Sequence, residues 1–221
     1  MITADPNRTP NFILFANPDY FLETSGKNPP PTCTPVSDAA SCFVEESGFA
    51  WNHGDFQNQI TRTWLGIVGP GVEANGRFGN IFSDHTDTRP TILSLVGLQD
   101  DYAHDGRVLF EALDPHALPH TLRDKSGELS QLAEAYKAIN APRGKLGAST
   151  LTGISTAALG GSDQVYSALE NKILDITAQR NLIAGRMIAI LEGAAFYGQS
   201  PNDAEVQRLI DQAEGLLEEV N

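Results

Sequence analysis

Positive charge is what this chain has least of. Its 221 residues carry 15 Lys and Arg against 28 Asp and Glu, a formal net charge of −13. Duplex nucleic acid and anionic lipid surfaces are bound by Lys and Arg that neutralise phosphates, so neither is expected as a partner. Long apolar runs are missing as well. No stretch approaches the roughly 18–20 apolar residues that a membrane-spanning helix needs, and no membrane span is expected. The opening "MITADPNRTPNFILF" has no basic segment followed by an apolar one, so no signal peptide is expected in this chain. Neither a G-x-S-x-G nucleophile elbow nor a Walker phosphate loop occurs, and "GPGVEANGRFGN" is Gly-rich without phosphate-loop spacing.

Cysteine is scarce too. Cys33 and Cys42 are the two in the chain, with eight residues between them in the Pro/Ser/Thr-rich "PPPTCTPVSDAASCF". A loop of this size suits a Cys33–Cys42 disulfide, which is the expectation; two free thiols are the alternative. A disulfide would place the parent protein in an oxidising compartment, secreted or in the cell envelope. With no second Cys-x-x-Cys pair, a structural zinc site is not expected. Asn7-Arg8-Thr9 is a glycosylation sequon, a three-residue pattern that is mostly chance.

What is present is a soluble-type composition, 41% hydrophobic and 19% charged, in two regions of different habit. Residues 1–122 are rich in Gly, Pro and aromatics, with short apolar runs between turns. "NFILFA" (Asn11–Ala16) and "TWLGIVG" (Thr63–Gly69) read as buried strands closed by Asn17-Pro18 and Gly69-Pro70-Gly71. "RPTILSLVGL" (Arg89–Leu98) reads as a short helix with Pro90 in its first turn. "GRVLFEAL" (Gly106–Leu113) reads as a strand or short closing segment. Strands alternating with short helices and long loops predict an α/β layer architecture here.

Residues 123–221 read as a helical extension. "ELSQLAEAYKAIN" (Glu128–Asn140) keeps Leu129, Leu132, Ala133 and Tyr136 on one side. A Gly/Ser/Thr-rich connector follows over 141–162. From Asp163 to about Tyr197, apolar residues recur in steps of three and four, and the phase holds across Arg180, which takes the step between Ile176 and Ile183. After a turn at Gly198–Ser200, a last helix is expected with Ser200 as N-cap, Pro201 in the first turn and Asp203 completing a capping box. The last two helices should form an antiparallel hairpin.

The five histidines, His53, His85, His104, His116 and His120, are the candidates for metal chemistry. His53 is followed by Gly54 and Asp55, and glycine lets backbone approach a metal closely; the alternative is a residue at a strand end alternating with Trp51. His85 lies between Asp84 and Asp87 in "FSDHTDTRPT", a density of oxygen and nitrogen ligands that suits a divalent ion. The competing and favoured reading has Asp84, Thr86 or Asp87 capping the helix that begins near Pro90, with His85 incidental. His104, beside Asp105-Gly106, is explained by a turn. His116 and His120 belong to a proline-punctuated surface linker.

Taken together, "HGDFQNQITRTWLGIVGPGV", "DHTDTRPTILSLVGL" and "HDGRVL" resemble the closing part of the alkaline phosphatase superfamily, in its phosphodiesterase and nucleotide pyrophosphatase branch. The landmarks are a His-Gly pair, a Gly-Pro-Gly turn about sixteen residues on, and a D-x-x-PT-x-L-x-L-x-GL helix; their order and spacing carry the resemblance, which covers about Asn11–Leu113. It implies a partial α/β core followed by a helical extension like those of some secreted bacterial members. It also implies a phosphate ester substrate and two divalent metals, commonly zinc, serving a Ser or Thr nucleophile. On this resemblance His53 is the last histidine of one metal's Asp/His/His set. Under a second alignment it is the histidine of an Asp-His-Gly pair, with Asn52 where aspartate is expected; the first alignment loses no ligand. Nucleophile and remaining ligands belong ahead of these landmarks in the family, and only 52 residues precede His53. The chain is therefore expected to be the C-terminal portion of a longer enzyme, with the missing N-terminal part as its partner, unable by itself to hold the metal or catalyse. Two rival expectations are a non-catalytic interaction module using the helical hairpin, and a metalloenzyme assembling His53, Asp84, His85 and His104 in one chain.

Overall fold

The computed structural model describes residues 57–74, 76–99 and 101–220. His53, Cys33, Cys42 and the strand expected at Asn11–Ala16 lie outside the described residues. Residues 57–66 belong to one compact unit and residues 67–220 to another. In the first, a single turn of helix, α1 (Asn58–Thr61), is closed by the Thr61 hydroxyl donating to the Gln57 carbonyl at 3.0 Å.

The second unit is built from helices α2 (Thr88–Leu95), α3 (His120–Asp124), α4 (Ser126–Asn140), α5 (Lys145–Gly160), α6 (Asp163–Phe196) and α7 (Asp203–Glu219). The described residues contain no strand, so the expected α/β core is overturned and the class is all-α. "TWLGIVG" makes no ladder: residues 62–68 have no regular structure, with Trp64 88% and Val68 99% exposed. In "GRVLFEAL" there is a 3₁₀ turn at Phe110–Ala112 and one isolated antiparallel bridge, Val72 with Leu113.

That segment stays extended without a sheet for a definable reason. The Arg107 N–H donates to Asp87 Oδ1 at 2.9 Å and the Leu109 N–H donates to Thr91 Oγ1 at 3.0 Å. Residues four apart on a helix rise by about 6 Å, and residues two apart on an extended chain by about 6.6 Å. Asp87, at the mouth of α2, and Thr91, one turn on, therefore match alternate N–H groups of the extended chain and take the place of a neighbouring strand.

α4 is the central helix, packed against α5, α6 and α7. Its buried positions Leu129, Leu132, Ala133, Tyr136 and Ile139 follow the helical repeat, as do Val206, Leu209, Ile210, Ala213 and Leu216 of α7. Leu129, Leu132, Ala133 and Met187 are fully enclosed in one continuous core, and each buried Leu or Met contributes about 1.5–3 kcal/mol of transfer free energy. α4 stops where Pro142 cannot continue it. α6 runs about 51 Å at 1.5 Å per residue. Its buried stripe begins at Ile176, and the first three turns lie mostly exposed beside α5. It ends at Gly198, whose φ of +63° suits glycine, as the Gln199 N–H closes six residues back on the Gly193 carbonyl at 2.9 Å.

Two helical expectations change. The Gly/Ser/Thr-rich connector is mostly α5. Its hydroxyls donate to carbonyls four residues back, Thr150 to Leu146 at 2.9 Å and Ser155 to Leu151 at 2.7 Å, so the side chains that usually compete with helix are engaged inside it. The last helix is capped by Asn202, whose side chain accepts from the Glu205 N–H at 3.1 Å, rather than by Ser200. Among the described residues no helix is long and apolar enough to cross a membrane.

Candidate functional site: a buried polar clasp

The polar residues of the second unit converge where the turn before α2, the extended segment and α4 meet. Asp84 opens the 3₁₀ turn His85–Asp87: its Oδ1 accepts from the Thr86 N–H at 2.9 Å and from the Thr86 hydroxyl, while its own N–H donates to Asp87 Oδ2 at 2.9 Å. This reciprocal capping box is the alternative weighed for "DHTD". Asp87, 0% exposed, uses its other oxygen for the Arg107 N–H. Thr91 donates to the Asp87 carbonyl at 2.7 Å and accepts from Leu109.

Lys137 of α4 supplies the cation. Its ammonium donates to Asp84 Oδ2 at 3.0 Å and to Thr86 Oγ1 at 3.3 Å and forms an ion pair with Asp87 Oδ1 at 2.7 Å. Its side chain is 1% exposed. Burial alone would raise the Asp84 carboxyl. Thr86, by its hydroxyl and N–H, and Lys137, by charge and hydrogen bond, outweigh that and hold it below the ordinary value. Gly106 completes the fit: a Cβ there would stand 2.0 Å from the Thr86 carbonyl oxygen, so the chain passes only as glycine. Arg107 folds back along its own segment, donating to the Val108 carbonyl at 3.1 Å and pairing with Glu111 at 2.6 Å.

A second polar chain leaves the same region. The Tyr136 hydroxyl donates to the Asp105 carbonyl at 2.9 Å, Asn140 Nδ2 donates to the Tyr136 oxygen at 2.7 Å, and Arg180 Nη1 donates to Asn140 Oδ1 at 2.7 Å. Burial pushes the Tyr136 hydroxyl well above the ordinary tyrosine range, so it stays a neutral donor.

The candidate metal residues are not gathered. His85 is exposed on the turn, and Asp84 is committed to Thr86 and Lys137. His104 stacks edge-on against Tyr102, with ring centroids 5.6 Å apart. His116 is exposed, and His120 pairs with Asp124 at 2.9 Å on the surface. Among the described residues no three His, Cys, Asp or Glu side chains are grouped to hold a metal ion. No family model, curated protein or solved structure matches this chain. The residues that do converge, Lys137, Asn140 and Arg180, left one trace in the sequence: each stands in the apolar phase of its helix, where a polar side chain needs a buried partner.

Proposed function

We propose that this chain is the C-terminal portion of a metal-dependent phosphoric ester hydrolase of the alkaline phosphatase superfamily, contributing His53 to a zinc-type metal site and lacking the nucleophile. The observation that supports this reading most is the pairing of the landmarks behind the resemblance. "DHTDTRPT" and "HDGRVL" are fastened through Asp87 to Arg107, Thr91 to Leu109 and the seating of Gly106 on Thr86. Their order and spacing thus have a physical cause in one clasp. A second support is the run of exposed large apolar residues in the sequence of these landmarks, Val68, Phe78, Phe82, Ile92, Val96 and Leu98, side chains that further protein could cover. The reading rests on these residues and not on a sheet, since the described residues hold none. Asp84 and Asp87 have no part in the metal site on this reading, because Lys137 already balances them. A bound divalent metal would polarise the phosphoryl oxygens of a phosphate ester.

The coding region upstream gives one test: an in-frame segment with an Asp, a Ser/Thr nucleophile and Asp-His ligands is expected. In the protein from that full frame, His53→Ala should lose one equivalent of zinc by elemental analysis and most hydrolysis of bis-p-nitrophenyl phosphate. His116→Ala, an exposed histidine, should lose neither. Equal zinc and equal turnover in the two variants would overturn the assignment. The rival interaction module draws on exposed Leu159, Val165 and Leu174 near the α5–α6 turn. It predicts a partner held by residues 163–221 that Leu159→Ser/Val165→Ser releases.

A further inference from the structure

Opposite its buried stripe, α6 carries a second apolar stripe that the described residues leave uncovered. Leu174, Ala178, Leu182, Gly185 and Ala189 recur in steps of four and three, and all five are exposed, Leu182 to 75% and Leu174 to 51%. None of the five is charged, whereas the chain as a whole carries −13. Spacing of this kind is the seam along which one helix packs against another. Gly185 lies mid-helix, where glycine is weakening. A Cβ there would meet nothing within 4 Å among the described residues, so none of them requires the glycine. A helix laid across the outer face of α6 would.

Two charges flank this stripe on one side. Asp175 and Arg186 stand about three turns and about 16 Å apart along the axis. Asp175 is exposed and has no ion-pair partner among the described residues. Arg186 pairs with Glu205 of α7 but keeps 66% of its side chain exposed. We propose that this face is a homodimer interface, occupied by α6 of a second copy running antiparallel across a two-fold axis between Arg180 and Asn181. Contacts across a two-fold are reciprocal. Asp175 then meets the partner's Arg186, and Arg186 meets the partner's Asp175, so opposite charges close both ends of the seam. Leu174 falls between the partner's Gly185 and the partner's Ala189. A parallel pair would instead set Asp175 against its own image, a like-charge contact. Glu170 and Glu192 lie about 16–17 Å along α6 from the axis, where crossed helices have diverged. Between two acidic chains, a neutral seam is where close approach meets least repulsion. One helix on one helix over about 22 Å covers less than the roughly 800 Å² per partner of a standard interface, so the dimer is a concentration-dependent one. The face involves neither His53 nor the clasp, so it stands or falls separately from the phosphoesterase reading.

Sedimentation equilibrium of the chain, loaded from micromolar to near-millimolar concentration, provides the test. The wild type should pass from monomer to dimer over that range. Leu182→Gln and Asp175→Arg, both at exposed positions, should each weaken the dimer tenfold or more and leave the circular dichroism spectrum unchanged. Arg186→Glu should weaken it as well. An equimolar mixture of Asp175→Arg and Arg186→Glu should recover a dimer, because each chain then carries a single sign at both positions and meets the opposite sign on the other. Leu182→Gln keeps the assignment testable if Arg186→Glu loosens α7 through Glu205. Leu159→Ser/Val165→Ser, at the α5–α6 turn, should dimerise as the wild type does, which separates this seam from the surface of the rival interaction module. A wild type that stays monomeric throughout, a dimer untouched by Leu182→Gln or lost in Leu159→Ser/Val165→Ser, or no recovery in a mixture of folded variants would overturn the proposal.

Discussion

Replacing Lys137 with methionine tests the logic of the clasp most directly. Methionine keeps the length and packing of the stem and removes only the ammonium. Asp87 would remain fully enclosed with its two backbone donors, the N–H groups of Asp84 and Arg107, and no cation. Removing one partner of a buried ion pair costs about 3–5 kcal/mol, because the other charge is left uncompensated. A unit of this size loses about 2–4 °C of melting temperature per kcal/mol, so Lys137→Met should melt about 6–20 °C lower. Urea unfolding followed by far-UV circular dichroism measures the same loss at constant temperature. Adding Asp87→Asn removes the orphaned charge, so the double variant should cost less than the sum of the singles by about 1 kcal/mol or more. A Lys137→Met variant within about 1 kcal/mol of wild type, or strictly additive singles, would refute the argument that charge balance holds these segments together.

Two further outcomes follow from the same geometry. Gly106→Ala puts a methyl group 2.0 Å from the Thr86 carbonyl oxygen; backbone must move, and a stability loss of about 1–3 kcal/mol, read as a lowered melting temperature, is expected, while a neutral variant would contradict the close approach. The Asp84 carboxyl, held below its ordinary value of 3.8, binds its proton less tightly folded than unfolded. Its stabilisation is therefore complete above the unfolded value and lost as pH falls through the folded one. The stability difference between wild type and Asp84→Asn should shrink on acidification below pH 3.8, and a constant difference down to full unfolding would show that Asp84 contributes through packing alone.

The helices were legible where one face repeats cleanly. α4, α6 and α7 appear in the spacing of Leu129, Leu132 and Tyr136, of Ile176, Met187 and Ala194, and of Leu209, Ala213 and Leu216. α5 was hidden because Ser, Thr and Gly weigh against helix in isolation, and only its packing on α4 and α6 outvotes them. The apolar run at 106–113 resembles a strand because periodicity cannot tell a buried strand from any other enclosed extended segment, and the run at 63–69 because an apolar stretch does not reveal whether it is covered; it is largely exposed. The capping role of Asp84 could be weighed from "DHTD", since a cap is local. The ion pairs from Lys137 to Asp84 and Asp87 could not, since they join residues about fifty apart in the chain.

By itself, then, the order of residues determined what nearest neighbours decide: the apolar stripes, the turn at Gly198, the cap before α2 and the excess of negative charge. Tertiary structure decided which polar residues in those stripes acquire partners. Burying Lys137 and Arg180 is tolerable or costly depending on groups that only the folded chain brings within 3 Å: Lys137 finds two carboxylates, and Arg180 finds an amide.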